Sequence, residues 1–362
     1  NWADSIFNKM TEEERIAQLF MVIAYSNKSN DHVQKITTLI EDNKIGGLMF
    51  LQGGPVRQAT LTNYYQSISK YPLMIAMDAE WGVSMRLDSA LRFPWQMTLG
   101  AIDDNKMIYQ MGAEIARQCS VLGVHINFAP VVDINSNPLN PIINNRSFGE
   151  DPYRVAEKGL AYMRGMQDNH VLACAKHFPG HGDTDKDSHK TLPIINHNKD
   201  RLNKIELIPF KKLINNGLGS VMTAHLNIPV LENDSNLPSS LSKNVVDSLL
   251  KNKLGFRGLC ITDALNMNAV SDLYDPGDVD LKALLAGNDV LLFSENVSKA
   301  IQRIKDAVKN KIISQKDIDD RCRKILLAKK WMGLDKYMPV DTESIDFKIT
   351  VKETEVLNNR LI

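Results

Sequence analysis

The sequence predicts a TIM (β/α)8 barrel, an α/β fold, and three observations support this prediction. Eight short apolar runs recur along the chain, and segments with helical periodicity separate them. The runs are apolar throughout rather than alternating, which is typical of parallel strands buried on both faces. Charged residues follow at the ends of several runs, where the active sites of TIM barrels lie. A doubly wound open sheet is the structural alternative, but its ligand site draws on fewer strands.

The predicted strands are, in chain order, LFMVIA (19–24), GGLMFL (46–51), LMIAMD (73–78), HINFAP (125–130), LACAKHF (172–178), GSVMTAH (219–225), GLCITDA (258–264) and NDVLLFS (288–294). Helical patterns lie between them. TEEERIAQLF begins with a capping box at Thr11 and Glu14, and two further segments, which begin NKMIYQ and RLNKIE, end at Gly123 and Gly217. The segment from RLNKIE to Gly217 is predicted as one helix.

Two helical stretches, VSKAIQRIKDAVKN and SQKDIDDRCRKILLAKKWMG, follow the eighth strand and complete a predicted catalytic domain over residues 1–335. The remainder, 336–362, is polar with weak periodicity. We expect it to be an extension that wraps the barrel or the first part of a further domain.

Composition excludes several classes of partner. Lys plus Arg and Asp plus Glu both number 43, so the net charge is zero and we expect no nucleic acid or anionic membrane partner. No apolar run approaches the roughly 20 residues of a membrane-spanning helix. The four cysteines are widely spaced, as small core residues are, rather than paired for metal or redox chemistry. We expect a soluble chain. Because it begins with Asn1 rather than Met, we expect that a signal peptide or another upstream segment has been removed, and the compartment, exported or cytoplasmic, stays open.

Candidate site residues follow two of the predicted strands and lie in the long loop after a third. Asp263, in CITDALNM, directly follows a predicted strand, where it serves as nucleophile or general base or caps the next helix; both interpretations stay open. Asp78, in AMDAEWGVSMR, is near Arg86 and Arg92, which suits either sugar hydroxyls or a surface ion pair. Arg146 is the candidate in the long loop after the fourth strand.

The segment KHFPGHGDTDKDSHKTLP (176–193) is the richest in chemistry. Lys176 and His177 end a predicted strand, whereas Asp187 and His189 follow on a glycine-rich loop. Acid–base catalysis is one interpretation, with His189 as the proton carrier and Asp187 raising its pKa above about 6.5. A solvated polar loop is the second. A metal site is the third, and it is disfavoured because no His-x-His or His-Glu-x-x-His pattern is present. Its candidate ligands are His177, His181, Asp183, Asp187 and His189.

KHFPGHGDTDKDSH, DAEWG, NFAPVVDINSNP, NRSFGEDP, ELIPF, ITDAL and AGNDVLL together resemble glycoside hydrolase family 3, in particular its β-N-acetylglucosaminidase branch, from about residue 11 to about 335. The resemblance implies a TIM barrel and retaining cleavage of terminal β-linked N-acetylglucosamine. It implies Asp263 as nucleophile and a His189–Asp187 dyad as acid/base, with no cofactor or metal. The residues that it places around the sugar are Asp78, Arg86, Arg146, Lys176 and His177.

The sequence departs from the family pattern at Trp81, which replaces the first Gly of Glu-Gly-Gly and either stacks on an acceptor sugar or packs, and at Ala264, which replaces a second Asp. The Asp-x-His loop favours N-acetylglucosamine over glucose, because the resemblance implies that the β-glucosidase branch lacks it. The expected partner is a GlcNAc-containing oligosaccharide or muropeptide. Phosphorolysis by the same residues and a non-catalytic sugar-binding domain are the alternatives, and no oligomeric state is predicted.

Overall fold

The computed structural model of the 362-residue chain describes residues 2–184, 192–234 and 236–362. Within these ranges, eight parallel strands form one sheet in the order β7-β6-β5-β4-β3-β2-β1-β8. A bridge between Ile261 and Val290 joins the two ends of this order and closes the barrel. The predicted TIM barrel is therefore confirmed. The strands are β1 Phe20–Ala24, β2 Gly47–Phe50, β3 Met74–Met77, β4 Ile126–Asn127, β5 Leu172–Phe178, β6 Ser220–Thr223, β7 Leu259–Thr262 and β8 Leu291–Leu292.

Burial on both faces explains the composition of the strands. Every residue of β2, β3, β5, β6 and β7 is buried. One face packs into the barrel interior and the other against the surrounding helices, so there is no exposed face that favours polar residues. Each of the eight predicted apolar runs contains one of the eight strands of the barrel.

The helices surround the barrel, and most of them lie between successive strands in the chain. They are α1 Trp2–Phe7, α2 Glu12–Ala17, α3 Asn30–Thr38, α4 Pro55–Ile68, α5 Gln96–Gly100, α6 Asn105–Val121, α7 Pro152–Gln167, α8 Lys199–Lys204, α9 Leu207–Ile214, α10 Asn268–Ser271, α11 Asp278–Ala286, α12 Val297–Lys309, α13 Gln315–Trp331, α14 Ile345–Ile349 and α15 Lys352–Leu361. The capping box predicted at the start of α2 is confirmed, since Glu14 N–H donates to Thr11 Oγ1 at 3.2 Å and Thr11 N–H donates to Glu14 Oε2 at 3.0 Å.

The prediction of one continuous helix over 201–217 is wrong. The chain forms α8 and then starts again as α9, in which Pro209 is the third residue. A proline has no backbone N–H and clashes with the preceding turn in a helix interior, whereas the first turn of a new helix tolerates it. Another unpredicted feature is the π-helical segment Asn244–Lys253, which leads into β7.

The C-terminal segment packs on the outside of the barrel. Arg117, on α6, donates to the carbonyl oxygens of Lys348 at 2.6 Å and Ile349 at 2.9 Å. The domain division at residue 335 stays a prediction. All four cysteines are buried and free, as expected for core residues. Across the part of the chain that the structure describes, no helix combines the length and apolarity needed to cross a membrane.

Candidate active site

A cavity of about 480 Å³ opens at the C-terminal ends of the strands. Six of the eight predicted site residues line it, namely Asp78, Arg86, Arg146, Lys176, His177 and Asp263. The other two, Asp187 and His189, lie outside the described residues. The barrel thus brings together residues that are up to 185 positions apart, from 78 to 263, in one space.

The β3 side of the cavity holds a cluster of paired charges. Lys176, on β5, donates from Nζ to Asp78 Oδ1 at 2.8 Å and lies 2.8 Å from Glu80 Oε1. Arg146 donates to both oxygens of Glu80, from Nε at 2.9 Å and from Nη2 at 2.7 Å. Arg86 pairs with the second oxygen of Asp78. Each carboxylate in this cluster therefore contacts two cations.

These contacts keep the cluster ionised at neutral pH. Burial alone raises the pKa of the Asp78 carboxyl, but Lys176 and Arg86 outweigh it and hold that pKa well below its usual range. In Glu80 burial is likewise outweighed, by Arg146 and Lys176, and the pKa falls to about 2. Burial lowers the pKa of Lys176, but Asp78 and Glu80 raise it by more. At neutral pH the cluster therefore consists of charged side chains that are already paired with each other.

Glu80 is a central residue of this cluster, and sequence reasoning missed it. Its side chain is completely buried. The sequence contains one sign of this role. Glu80 lies two residues after Asp78, and side chains two residues apart lie on the same face of an extended chain.

A second cluster orients His177. Its Nδ1 donates to Asp133 Oδ2 at 2.6 Å, and the backbone N–H groups of His177 and His181 donate to the same carboxylate at 3.2 and 2.7 Å. Burial raises the pKa of Asp133, but His177 and His181 together lower it by more. Burial and the neighbouring His177 lower the pKa of His181 to about 4, so the His181 ring is neutral at pH 7.

Three of the candidate metal ligands, His177, His181 and Asp183, lie within the described residues. Their side chains contact other protein groups. His177 Nδ1 is held by Asp133, and His181 Nδ1 lies 3.0 Å from Thr184 Oγ1. Asp183 instead accepts from His197 at 2.7 Å and Arg201 at 3.3 Å. Over the described ranges, no group of three or more His, Cys, Asp and Glu side chains is arranged to hold a metal ion.

Asp263 directly follows β7 and is part-exposed in the cavity. Its backbone N–H donates to Thr223 O at 2.9 Å, and the Ala264 N–H donates to its Oδ1 at 2.8 Å. Burial raises the pKa of this carboxyl, but nearby His225 and His177 lower it by more, so it is ionised at neutral pH. The interpretation of Asp263 as a helix cap is wrong, because α10 starts later and Met267 precedes it.

His225 positions the loop that carries Asp263. Its ring is completely buried, with Nδ1 2.6 Å from Ser240 Oγ and Nε2 3.0 Å from Ala264 O. This strand-end histidine contacts the backbone next to Asp263 and is not among the residues that line the cavity.

Trp81 both lines the cavity and packs against a neighbour. Its ring is edge-to-face with Trp95, with 4.3 Å between the ring centroids. Arg92 stacks its guanidinium over Trp95 at 4.3 Å rather than joining Asp78. Trp81 is thus a wall on the β3 side, beside the charge cluster.

Comparisons with known proteins agree with this architecture. The family model "Glycosyl hydrolase family 3 N terminal domain" matches residues 11–328. Beta-hexosaminidase A of Pseudoalteromonas piscicida is 37% identical over 281 residues, which are 71% of this chain and 47% of that protein. The chain therefore spans about half the length of that relative.

Two solved structures are similar over almost the whole chain. A family 3 β-N-acetylglucosaminidase from a Paenibacillus species has a TM-score of 0.90 at 35% identity, with 97% of this chain and 68% of that one covered. The beta-glucoside phosphorylase BglX, bound to 2FGlc, has a TM-score of 0.93 at 25% identity, with 99% and 66% covered.

Proposed function

The chain belongs to glycosyl hydrolase family 3, and on that premise we propose that it is a retaining β-N-acetylglucosaminidase acting on terminal β-linked N-acetylglucosamine. Asp263 is the proposed nucleophile, and His189, oriented by Asp187, is the proposed acid/base. The observation that carries the proposal is an ionised Asp263 at a strand end, in one cavity with a set of fixed charges. The β-hexosaminidase and β-N-acetylglucosaminidase relatives support an N-acetylated sugar.

The proposed reaction has two steps. The Asp263 carboxylate attacks the anomeric carbon, the bond to the leaving oxygen breaks, and His189 gives that oxygen a proton. His189 then takes a proton from water, whose oxygen attacks the same carbon and releases the sugar and the Asp263 carboxylate. Two inversions leave the β configuration unchanged.

The charge cluster is suited to holding the hydroxyl groups of one sugar unit. Its carboxylates accept hydrogen bonds, and Lys176 and Arg146 donate them. Because Nδ1 of His177 is bonded to Asp133, Nε2 is the ring nitrogen that we expect to hydrogen-bond a further hydroxyl. The ion pairs fix the directions of these donors and acceptors, so little reorganisation accompanies binding. The cavity volume of about 480 Å³ is in the range of small-molecule sites, about 300–1,000 Å³.

The leaving group is proposed to be the rest of a chitin-type oligosaccharide or of a peptidoglycan fragment. Both contain β-linked N-acetylglucosamine. The peptidoglycan proposal rests on analogy with the family alone.

Phosphorolysis is the second candidate, and the similarity to the phosphorylase BglX favours it. A neutral imidazole at position 189 does not repel an anionic acceptor, so phosphate can replace water in the second step. Chromatography of the products at saturating phosphate separates the two outcomes. Free N-acetylglucosamine alone supports hydrolysis, whereas N-acetylglucosamine 1-phosphate supports phosphorolysis.

The proposal is tested with a chromogenic aryl β-N-acetylglucosaminide and the matching glucoside. We expect cleavage of the N-acetylated substrate, with losses of about a thousandfold in Asp263→Asn and about 10²–10⁴-fold in His189→Ala. Asp346→Asn is the matched control, because Asp346 is an exposed aspartate on α14. Azide added to Asp263→Gly should restore turnover and give the α-glycosyl azide, the product of a single inversion. If Asp263→Asn keeps its activity, Asp263 is not the nucleophile. If the wild type cleaves neither substrate, a sugar-binding role is favoured instead.

A further inference from the structure

His225 follows β6 and lies beside the segment that carries Asp263. Its ring is completely buried, with Nδ1 2.6 Å from Ser240 Oγ and Nε2 3.0 Å from Ala264 O. A carbonyl oxygen can only accept, so Nε2 carries a proton and donates to it. In the neutral ring, Nδ1 then accepts from the Ser240 hydroxyl. The two contacts therefore fix one tautomer and one orientation of the ring.

We propose that His225 is a positioning residue for the nucleophile, and that its hydrogen bond to Ala264 O sets the place of the Asp263 carboxylate. This inference rests on the proposed function, in which Asp263 attacks the anomeric carbon. Because His225 is not among the residues that line the cavity, it acts through the backbone and not on the substrate.

Two contacts hold the peptide group that joins Ala264 to Leu265. Its N–H, which belongs to Leu265, donates to Leu292 O at 2.9 Å, on β8. Its oxygen, Ala264 O, accepts from His225, which follows β6. The peptide group is thus held at both ends, and without the His225 donor it keeps only the contact to β8.

This peptide group adjoins the reacting carboxylate. The Ala264 N–H donates to Asp263 Oδ1 at 2.8 Å, so the position of Ala264 orients the carboxylate and directs its other oxygen. A displacement of about 1 Å at a reacting group can lower a rate by about 10²-fold. Ala264 lines the cavity and is partly exposed, so water can replace His225 as the donor to its oxygen. Loss of the histidine donor therefore affects the position of the carboxylate more than it leaves a carbonyl unsatisfied.

A buried hydrogen-bond network supports His225 on the side away from Ala264. The Ser240 N–H donates to Ala224 O at 3.0 Å, and the Ser240 carbonyl accepts from Asn288 Nδ2 at 2.8 Å. Asn288 in turn accepts from Thr223 Oγ1, on β6, at 2.9 Å. The side chains of this network are completely buried. Buried networks with satisfied partners hold their members in one arrangement, so the His225 ring has little freedom to move.

The test compares two amides at position 225. The side-chain nitrogen of glutamine can take the place of Nε2 and donate to Ala264 O, whereas the shorter asparagine reaches only the place of Nδ1. Both variants lack the imidazole, so any effect of its charge is lost equally. For the aryl β-N-acetylglucosaminide, His225→Gln should keep kcat/KM within about fivefold of the wild type, and His225→Asn should lose about 10²-fold. Urea unfolding should show similar changes of stability in both variants. His170→Asn, which changes an exposed histidine before β5, is the matched control and should leave kcat/KM unchanged.

A second background separates positioning of the nucleophile from an effect on sugar binding. In Asp263→Gly, azide attacks the anomeric carbon in place of the carboxylate, so the position of the Ala264 peptide group no longer matters. Adding His225→Asn to Asp263→Gly should therefore change the azide-dependent turnover by no more than about twofold.

Equal losses in His225→Gln and His225→Asn, or an unchanged rate in His225→Asn, would overturn the inference. A loss of about 10²-fold that persists in the Asp263→Gly background would do the same. If His225→Asn does not fold, Ser240→Ala takes its place. It removes the donor to Nδ1 and should lower kcat/KM about threefold in the wild-type background only, so an equal loss in both backgrounds, or none in either, would overturn the inference. A wild type that cleaves neither the N-acetylglucosaminide nor the glucoside, or an Asp263→Gly enzyme that azide does not rescue, would instead contradict the proposed function.

Discussion

Replacing Lys329 with methionine is expected to stabilise the protein at neutral pH and to destabilise it at alkaline pH. Lys329 lies on α13, with a completely buried side chain whose Nζ donates to Gln18 Oε1 at 2.6 Å. Burial lowers the pKa of this ammonium group from 10.5 to about 7, and Cys322 opposes the effect. No carboxylate acts on this ammonium group in the described structure, unlike that of Lys176.

The fall in pKa from 10.5 to about 7 corresponds to about 4 kcal/mol of stability that is missing at pH 7. Between these pH values the unfolded chain binds a proton that the native state does not, so the free energy of unfolding rises with pH. Methionine removes this titration but leaves Gln18 Oε1 without its donor, at a cost of about 2 kcal/mol. Lys329→Met should therefore be more stable than the wild type by about 2 kcal/mol at pH 7 and less stable by about 2 kcal/mol above pH 10.5.

Urea unfolding of both proteins from pH 7 to pH 10.5 measures this difference. The neighbouring His125, whose pKa burial and Lys329 lower to about 4, does not titrate in this interval. The buried thiols, with pKa values raised to about 12 by burial, are present in both proteins and cancel in the comparison. Lys330→Met changes an exposed neighbour and should shift stability by less than about 0.5 kcal/mol at every pH. A difference between wild type and Lys329→Met that stays constant with pH would refute the reasoning.

Three further predictions concern the cavity and its surroundings. Glu80→Gln leaves Arg146 without its carboxylate and should cost about 3–5 kcal/mol of stability, measured by urea unfolding; a loss below about 1 kcal/mol would contradict it. Trp81→Ala removes part of the cavity wall and should lower kcat/KM for the aryl substrate about tenfold, whereas an unchanged rate would show that Trp81 only packs against Trp95. Asp280→Asn should stabilise the protein by up to about 3 kcal/mol above pH 6 and by nothing near pH 4. The reason is that burial raises the pKa of Asp280 to about 6, so its contribution to stability is lost as the pH rises through that value. Thermal unfolding of the wild type and Asp280→Asn at pH 4 and pH 8 measures this effect. A difference in stability that is the same at both pH values would contradict the prediction.

Much of the fold was predictable because each strand is buried on both faces. Burial of β5 requires apolar residues along its whole length, so the strand is visible in LACAKHF without knowledge of its neighbours. Helix boundaries were harder to predict where a proline allowed two local structures. Pro209 was compatible with the first turn of a new helix or with the end of a broken one, and the packing of α9 decided between them.

Six of the predicted residues line one cavity, but sequence reasoning missed Glu80 and did not predict the pairings. Asp78, Lys176 and Asp263 each end a strand, and parallel strands in a barrel end on the same rim, so their convergence follows from the topology. Their chemical roles stay predictions. The sequence offered Arg86 and Arg92 as equal partners for Asp78, yet one pairs with it and the other stacks on Trp95.

The sequence by itself therefore determined which residues lie on the strands and which of them reach the rim, because burial on both faces is visible in the local composition and the parallel strands of a barrel end on the same rim. Only the tertiary structure decided which charges meet. Glu80 pairs with both Arg146 and Lys176, and Asp78 pairs with both Lys176 and Arg86. Ion pairs and pocket walls depend on distances of a few ångströms between residues far apart in the chain, and no local pattern records those distances.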